Sequence, residues 1–464
     1  MQDPSAAPVV IVSNRGPLSF VTEAGRPVPR RGSGGLVSGL APLVESGRAS
    51  WIAAAMSEAD RAAARPDGVA TGEGLQVRLA EFDADLQRRY YDEVSNSTLW
   101  FTHHGLFDRV RAPAYDADWR ASWDAYRRVN EVFADLVVEH APAGATVLVQ
   151  DYHLTLVAAA ARGRRDDISF VHFHHTPFAG PSDLEVLPPE VRTELLEGLL
   201  AHDTCGFHTE RWATNYRDCV RRFIGTDAAT FASTLNSDIA DLRDVASGPA
   251  CIRAGAELDQ LVGDRMLIAR VDRMELSKNI VRGFDAYGRL LERRGDLHGR
   301  VVFVAACYPS RLGVADYRRY RDEVVAAAES VNQRFGNPRW RPVELAEDDD
   351  FPRSVALLQR YDVLVVNPIR DGLNLVAKEG PALNVRDGSL LLSTEAGSHS
   401  ELAPAVDSVF PFDLEATADA MERALDRDPA ARSRLAGELR ELVARRTPAD
   451  WLSDQLAAAG EVAH

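Results

Sequence analysis

The sequence predicts an α/β protein of two successive domains, each a doubly wound sheet of mostly parallel strands covered by helices. Three observations predict it. Short apolar runs rich in β-branched residues recur between longer stretches of helical period, the pattern of parallel strands joined by helical crossovers. The 464 residues exceed what one hydrophobic core organises, so two domains of about 200 residues each are expected. Residues 226–262 mix Ser, Asp, Gly and Pro without sustained period, and the strands fall into two sets on either side of that stretch.

In the first set the β-branched runs predict strands at 9–13, 146–150 and 169–173, with helical period at 121–139, 190–201 and 210–223. In the second set strands are expected at 266–270, 301–306, 363–367 and 390–393. Helices are expected at 280–293, 315–334, 351–360, 374–384 and 414–427. The acidic run 344–350 reads as a solvated loop. The domains are drawn as 1–248 and 249–464, and the last helix is a candidate to pack back on the first domain.

A formal net charge of −16 argues against nucleic acid or an anionic membrane as partner, because both demand a basic field. An anionic ligand then has to be held by local cations. Cys205, Cys219, Cys251 and Cys307 are far apart and form no Cys-x-x-Cys pair, which fits a reducing cytoplasm and neither a disulfide scaffold nor a thiolate zinc site. The amino terminus lacks the basic and apolar regions of an export signal, and no apolar run approaches the roughly 18 residues of a membrane span.

Of 53 lysines and arginines, only Lys278 and Lys378 are lysine. The first lies in Arg270-Val-Asp272-Arg-Met-Glu-Leu-Ser277-Lys278-Asn279, the second in Arg370-Asp371-Gly372-Leu373-Asn374-Leu375-Val-Ala-Lys378-Glu379-Gly380. Where strand 363–367 runs through Asp371-Gly372 into a helix, the free amides at the helix start and the helix dipole suit a diphosphate. The loop also lies beyond the carboxyl end of its strand, where open α/β sheets bind ligands. Glu379 is placed to accept from paired ribose hydroxyls. Lys378, its neighbour on the helix, faces elsewhere. Lys278, sharing a loop with Arg270 and Asp272, is the better cation for a departing diphosphate.

In the first half, Ser13-Asn14-Arg15 ends a strand and Arg31-Gly32-Ser33-Gly34-Gly35-Leu36 is a glycine-rich turn opening a helix. Gln150-Asp151-Tyr152-His153 follows one strand, and His172-Phe-His174-His175-Thr-Pro177-Phe178 follows the next. These histidines and aspartates match no standard zinc spacing. Metal ligation, hydrogen bonding to a ligand and satisfied structural histidines all remain open readings.

Together these runs resemble the trehalose-6-phosphate synthase family of retaining glycosyltransferases, bacterial type. The resemblance rests on Ser-Asn-Arg15, Gly34-Gly35, Tyr90-Tyr91 through Asn96 to Trp100, Tyr126-Arg-Arg-Val-Asn130, Asp151-Tyr-His153 and His175-Thr-Pro-Phe. It continues through Gly206-Phe-His-Thr-Glu210, Pro309-Ser-Arg311 and Arg370 through Glu379, in order over most of the chain. It implies the GT-B fold, two Rossmann-like domains with the active site in the cleft between them. It implies transfer of glucose from UDP-glucose or GDP-glucose to glucose 6-phosphate with retention, giving α,α-trehalose 6-phosphate without metal or cofactor. In the front-face reaction proposed for such enzymes the acceptor oxygen attacks from the side the diphosphate leaves, and a phosphate oxygen takes the proton. No pair of catalytic carboxylates of the hydrolytic kind is then needed.

The roles implied are these. Arg15, Tyr91, Trp100 and Arg311 hold the acceptor phosphate, and Asp151 meets the acceptor sugar. Gly35 lies in the loop that closes over the donor, and His175 bonds the donor glucose near its O6. Arg270 and Lys278 bind the diphosphate, Asp371 with Gly372, Leu373, Asn374 and Leu375 holds donor glucose and phosphate, and Glu379 takes the ribose. A homo-oligomer is expected.

Three departures from the family pattern stand out. The Arg-x-Asp-Tyr-Ser-Lys-Gly run is three residues longer here, Trp-x-Gly-Trp is Trp51-Ile-Ala-Ala54, and Pro-x-Gly-Ile-Asp is missing from 226–262. The rival readings are a pseudo-glycosyltransferase coupling aminocyclitols, a catalytically silent regulatory homologue, and a pyridoxal-phosphate glycan phosphorylase using Lys378. Intact Arg270, Lys278 and Asp371 speak for an active glucosyl donor site.

Overall fold

Strand β1 (Val9–Ser13) is Val-Val-Ile-Val-Ser, and every residue is buried; β-branched side chains on both faces suit a central strand of a parallel sheet. The computed structural model describes residues 8–32 and 35–462. Its chain divides into two units, Met1–Leu235 with Pro448–His464, and Asn236–Thr447.

In the first unit β1 is followed by the hairpin β2 (Leu18–Glu23) and β3 (Arg26–Arg31), then β4 (Ala49–Ala54), β5 (Val69–Gly72) and β6 (Leu75–Ala80). Next come β7 (Thr146–Gln150), β8 (Ser169–His174), β9 (Thr204–Phe207) and β10 (Thr230–Ala232). The eight-stranded sheet has the order β10-β9-β8-β7-β1-β4-β6-β5, parallel except for β5 against β6. Strand order runs outward in opposite directions from β1 and β7, so the loops leaving their carboxyl ends flank the switch point where such sheets bind ligands. The helix Pro448–Val462 belongs to this unit. Its Trp451 is fully buried edge-on to Phe173 at 5.1 Å, and Gln455 Oε1 accepts from Gln150 Nε2 at 3.1 Å.

The second unit is a six-stranded parallel sheet of β11 (Met266–Met274), β12 (Val301–Pro309), β13 (Val343–Ala346), β14 (Val363–Val366), β15 (Ser389–Ser393) and β16 (Asp407–Val409). Their order is β13-β12-β11-β14-β15-β16. Alternation along the strands feeds two cores, as a period of two requires. Val363 and Val365 face one, packed with Phe284 and Phe303; Leu364 and Val366 face the other, with Leu358 and Leu383.

The irregular reading of 226–262 is corrected. That stretch holds β10, the helix Ile239–Ser247 and the helix Pro249–Val262. Asp238 accepts from the amides of Ala240 and Asp241, and Pro249 opens the next helix, where its missing N–H costs nothing. The buried face of that second helix is Cys251, Ala254, Gly255, Leu258 and Val262. Three of these five are small, which hides the period. Since Leu242 packs with Val355 and Leu383, the units divide at Leu235–Asn236 rather than at 248–249. The acidic run is likewise not all loop: Val343–Ala346 is edge strand β13, whose half-buried side chains reach solvent, and Asp350 caps the helix Phe351–Arg360 by accepting from Arg353 N at 2.9 Å.

Among the described residues no helix is long and apolar enough to cross a membrane. All four cysteines are free and buried.

Candidate functional site

The carboxyl edge of the first sheet gathers the first group of candidate residues. Register sets Ser13 opposite Gln150 and Gln150 opposite Phe173, so three loops leave the sheet level with one another. Ser13 Oγ donates to Arg15 O at 2.7 Å and accepts from Trp51 Nε1 at 2.7 Å; Asn14 Oδ1 accepts from Tyr90 OH at 3.0 Å. Arg15 is exposed, and its guanidinium donates to Tyr91 OH at 3.2 Å. Tyr91 stacks on His153 at 5.8 Å and 16°.

Tyr91 belongs to an 11-residue π-helix, Arg89–Leu99, which runs into the short helix Trp100–His104. Its wide turn is fastened by hydroxyls. Ser95, Ser97 and Thr98 donate to the carbonyls of Tyr90, Asp92 and Glu93, each five residues back, at 2.9, 2.6 and 2.9 Å. Such helices are rare and concentrate at functional sites. Trp100 is buried against His104, ring centres 4.1 Å apart.

Asp151 has φ 71° and ψ 166°, a region that only glycine enters freely and that costs another residue about 1–3 kcal/mol. It is held there by its amide donating to Phe173 O at 2.7 Å and by its carboxylate accepting from His175 N at 3.2 Å. His175 Nε2 donates to Gln150 Oε1 at 3.0 Å, and burial lowers its imidazole to about 3. It is therefore neutral at pH 7. His172 and His174 are fully buried on β8, burial holding both well below the ordinary histidine range; they are core groups, while His175 and Asp151 stay partly open. Gly35 begins the helix Gly35–Glu45; Ser33 and Gly34 of its glycine-rich turn lie outside the described residues.

In the second unit the corresponding edge is built by β11, β12, β14 and β15. Arg270 is fully buried. It donates to Asn367 Oδ1 at 2.6 Å and to the carbonyl of Lys278, and its Nε lies 2.9 Å from Asp272 Oδ2. Gly283 leaves it room, since a Cβ there would stand 2.8 Å from Arg270 Nη1. Lys278 Nζ donates to Asp371 Oδ2 at 2.6 Å, both side chains being about 15% exposed (15% and 14%). Burial alone would lower the Lys278 ammonium, but Asp371, Asp272 and Glu275 outweigh it and hold it above the usual lysine value.

The loop after β14 is fixed at both ends. Asp371 Oδ2 accepts from Asn374 Nδ2 at 3.1 Å and its Oδ1 from Leu373 N at 3.4 Å, while Gly397 N donates to Asp371 O at 3.1 Å and Ser398 N to Leu373 O at 2.8 Å. Asn374 holds φ 76°, and Leu375 precedes the helix Val376–Leu383. Gly372 lies so close to Gly397 that a Cβ on the latter would meet Gly372 O at 2.0 Å. Glu379 Oε1 accepts from Ser237 Oγ at 2.5 Å, and burial raises its carboxyl despite that bond. Lys378 turns to the other face, buried on Glu401 at 2.6 Å. Arg311, at φ 51°, donates to Tyr317 OH at 2.6 Å. Among the described residues no three His, Cys, Asp or Glu side chains gather as metal ligands would.

The sequence profile of glycosyltransferase family 20 matches residues 7–460. The chain belongs to glycosyltransferase family 20. A trehalose-6-phosphate synthase of Mycolicibacterium smegmatis is 32% identical, the alignment covering 97% of this chain and 93% of the relative. One from Mycobacterium sp. (strain KMS) is 34% identical over 94% and 91%. Among solved structures, an E. coli protein bound with UDP-2-fluoro glucose superposes with TM-score 0.84 at 25% identity, covering 97% of this chain and 99% of its own. A UDP-forming α,α-trehalose-phosphate synthase of Burkholderia xenovorans in complex with glucose-6-phosphate gives 0.85 at 25%, covering 98% and 100%. As a family 20 protein the chain is a glycosyltransferase with the GT-B fold.

Several residues of this family 20 site were not singled out from sequence. Asn367, Gly283 and Ser237 matter through contacts made far along the chain. Glu275 is the exception with a signal of its own, being an acid inside the lengthened Arg270–Lys278 run.

Proposed function

We propose that this glycosyltransferase transfers glucose from UDP-glucose or GDP-glucose to glucose 6-phosphate with retention, giving α,α-trehalose 6-phosphate and the nucleoside diphosphate. The observation that carries this reading is the Lys278–Asp371 pair at the carboxyl edge of the second sheet, set before the amides of Gly372–Leu375. Lys278 supplies a protonated donor to the leaving diphosphate. Arg270, seated beneath it, adds fixed positive charge and holds the Lys278 backbone. Preorganised cations of this kind contribute on the order of 3 kcal/mol each to the transition state.

Asp371 and the Gly372–Leu375 amides hold the glucose and phosphate of the donor, and Glu379, oriented by Ser237, takes the ribose. Neutral His175 bonds the donor glucose near O6, with Gly35 in the loop over the donor. Arg15, Tyr91, Trp100 and Arg311 take the acceptor phosphate, and Asp151 meets its sugar. The acceptor hydroxyl attacks on the face the diphosphate leaves, and a diphosphate oxygen accepts its proton.

The reading is supported by the names and ligands of the relatives above: one was solved with a UDP-glucose analogue, another with glucose-6-phosphate. The deciding experiment is nucleoside diphosphate release from UDP-, GDP-, ADP- and TDP-glucose, each with and without glucose 6-phosphate, with the product identified by mass spectrometry. Release that needs glucose 6-phosphate and yields a disaccharide phosphate is expected. No release from any donor would refute the synthase.

A further inference from the structure

The helix Pro448–Val462 carries a polar residue in the middle of its buried face. Trp451, Gln455 and Ala459 follow one another at intervals of four and are all buried, the spacing of one helix face. Packing alone would be served by an apolar side chain at the middle position. A carboxamide is tolerated in such a seat only when it is hydrogen-bonded, and Gln455 Nε2 has no partner among the described residues. Its tie to the sheet is therefore the one through Oε1, which accepts from Gln150 Nε2 at 3.1 Å across 305 residues of sequence.

Gln150 ends β7 and is 1% exposed, so both ends of its carboxamide need partners inside the protein. Nε2 goes to Gln455, and Oε1 faces His175 Nε2 at 3.0 Å. An oxygen at that place requires a hydrogen on Nε2, which leaves Nδ1 of the neutral ring as an acceptor. Nδ1 makes no hydrogen bond among the described residues, and it is not sealed from solvent. Turning Gln150 over by itself would set oxygen against oxygen at Gln455 and donor against donor at His175. The helix thus fixes the amide, and the amide fixes the ring, which Trp451 flanks at 5.7 Å.

We propose that Gln150 and Gln455 are positioning residues for His175, an amide relay that keeps its ring protonated at Nε2 and presents Nδ1 to accept from the 6-hydroxyl of the donor sugar. The proposal rests on the reading of His175 given above and deepens it. A site that accepts at this point selects a sugar whose C6 group can donate, and it turns away one with a C6 carboxylate, where acceptor would meet acceptor.

The test uses the full-length protein with Gln455→Met and Gln150→Met, which keep an unbranched side chain and remove its hydrogen bonds. Nitrogen-15 NMR, with the His175 ring assigned by its loss in His175→Ala, reads the tautomer without ligand or turnover. Nε2 should be the protonated nitrogen in the wild type, and in both variants the ratio of Nε2–H to Nδ1–H should fall about fivefold. Equilibrium binding of UDP-glucose and GDP-glucose is then compared with that of their 6-deoxy-6-fluoro analogues, which cannot donate. The analogue of the donor that binds should be roughly tenfold weaker on the wild type and only about threefold weaker on either variant, with the Kd for glucose 6-phosphate within about twofold throughout. Protonation at Nδ1 in the wild type, a tautomer ratio that neither variant moves, or equal loss of parent and analogue in the variants would overturn the relay. A ratio that both variants move, beside a wild type that binds parent and analogue alike, keeps the relay and sinks the reading of His175 against the sugar. Because the tautomer is read without turnover, a protein that transfers nothing sinks the synthase and leaves the relay standing.

Discussion

Arg270 and Lys278 carry the same charge in one short run, but the fold gives them different work. Sequence placed both near phosphate; it could not show that Asn367 and Gly283, from two other elements, would seat Arg270 with no exposure at all. Removing Arg270 strands the buried Asp272 carboxylate, and breaking such a pair typically costs about 3–5 kcal/mol. Arg270→Ala should therefore lower Tm by roughly 10 °C as well as reduce turnover. Lys278→Ala should lower kcat about 10²–10³-fold while leaving the KM for glucose 6-phosphate within a few-fold and Tm much less changed. Differential scanning fluorimetry beside steady-state kinetics separates the two effects. Full turnover in Lys278→Ala would remove Lys278 from the donor site.

At the scale of elements, the legible parts are those whose signal is local. The run Asp371-Gly372-Leu373-Asn374 announces a strand-to-helix loop for an anion, and that is how β14 and the helix Val376–Leu383 frame it. The helix Pro249–Val262 was hidden because alanine, glycine and cysteine make up much of its buried face, and Ile239–Ser247 because it buries Leu242 alone. The π-helix was hidden because its period is fixed by hydroxyls reaching five residues back, a spacing no amphipathic pattern reports. Gly397 was silent for a third reason. Its constraint comes from the loop it touches, not from its neighbours in sequence. A methyl group at Gly397 would meet backbone rather than a side chain that can turn aside: Gly372 O at 2.0 Å and Leu373 Cα at 3.0 Å. Gly397→Ala should thus cost about 1–3 kcal/mol by overpacking and raise the KM for nucleotide-glucose more than that for glucose 6-phosphate. Urea denaturation and donor titration would show it. A variant with wild-type values for both would mean the Asp371–Leu375 loop is not held as described.

Across the whole molecule, acid acts unequally on the two units. His172, His174 and His202 are buried in the first unit and His175 is half-buried there. Burial keeps each below the ordinary histidine value, His175 at about 3 and His202 at about 4. These groups stay neutral in the folded unit but take protons in the unfolded chain below about pH 6.5. Their contribution is therefore whole above that pH and is lost as pH falls toward the folded values, at up to about 1.4 kcal/mol per histidine and pH unit. In the second unit the buried Asp272 and Glu379 are shifted the other way, raised by burial. Their contribution is present at low pH and fades as pH rises through their folded values, so acid does not weaken that unit through them; the one histidine there that burial lowers is the half-buried His399, against four in the first unit. The first unit should unfold first on acidification. Six of the seven tryptophans, at 51, 100, 119, 123, 212 and 451, belong to it, and only Trp340 to the other. Tryptophan emission should accordingly shift to the red, and its urea midpoint fall steadily, from about pH 6 to pH 4, ahead of any loss of amide-exchange protection in strands β11–β16 of the second unit. A urea midpoint that held constant from pH 7 to pH 4 would show that these histidines are already protonated in the folded protein or are free to leave their buried seats without unfolding it.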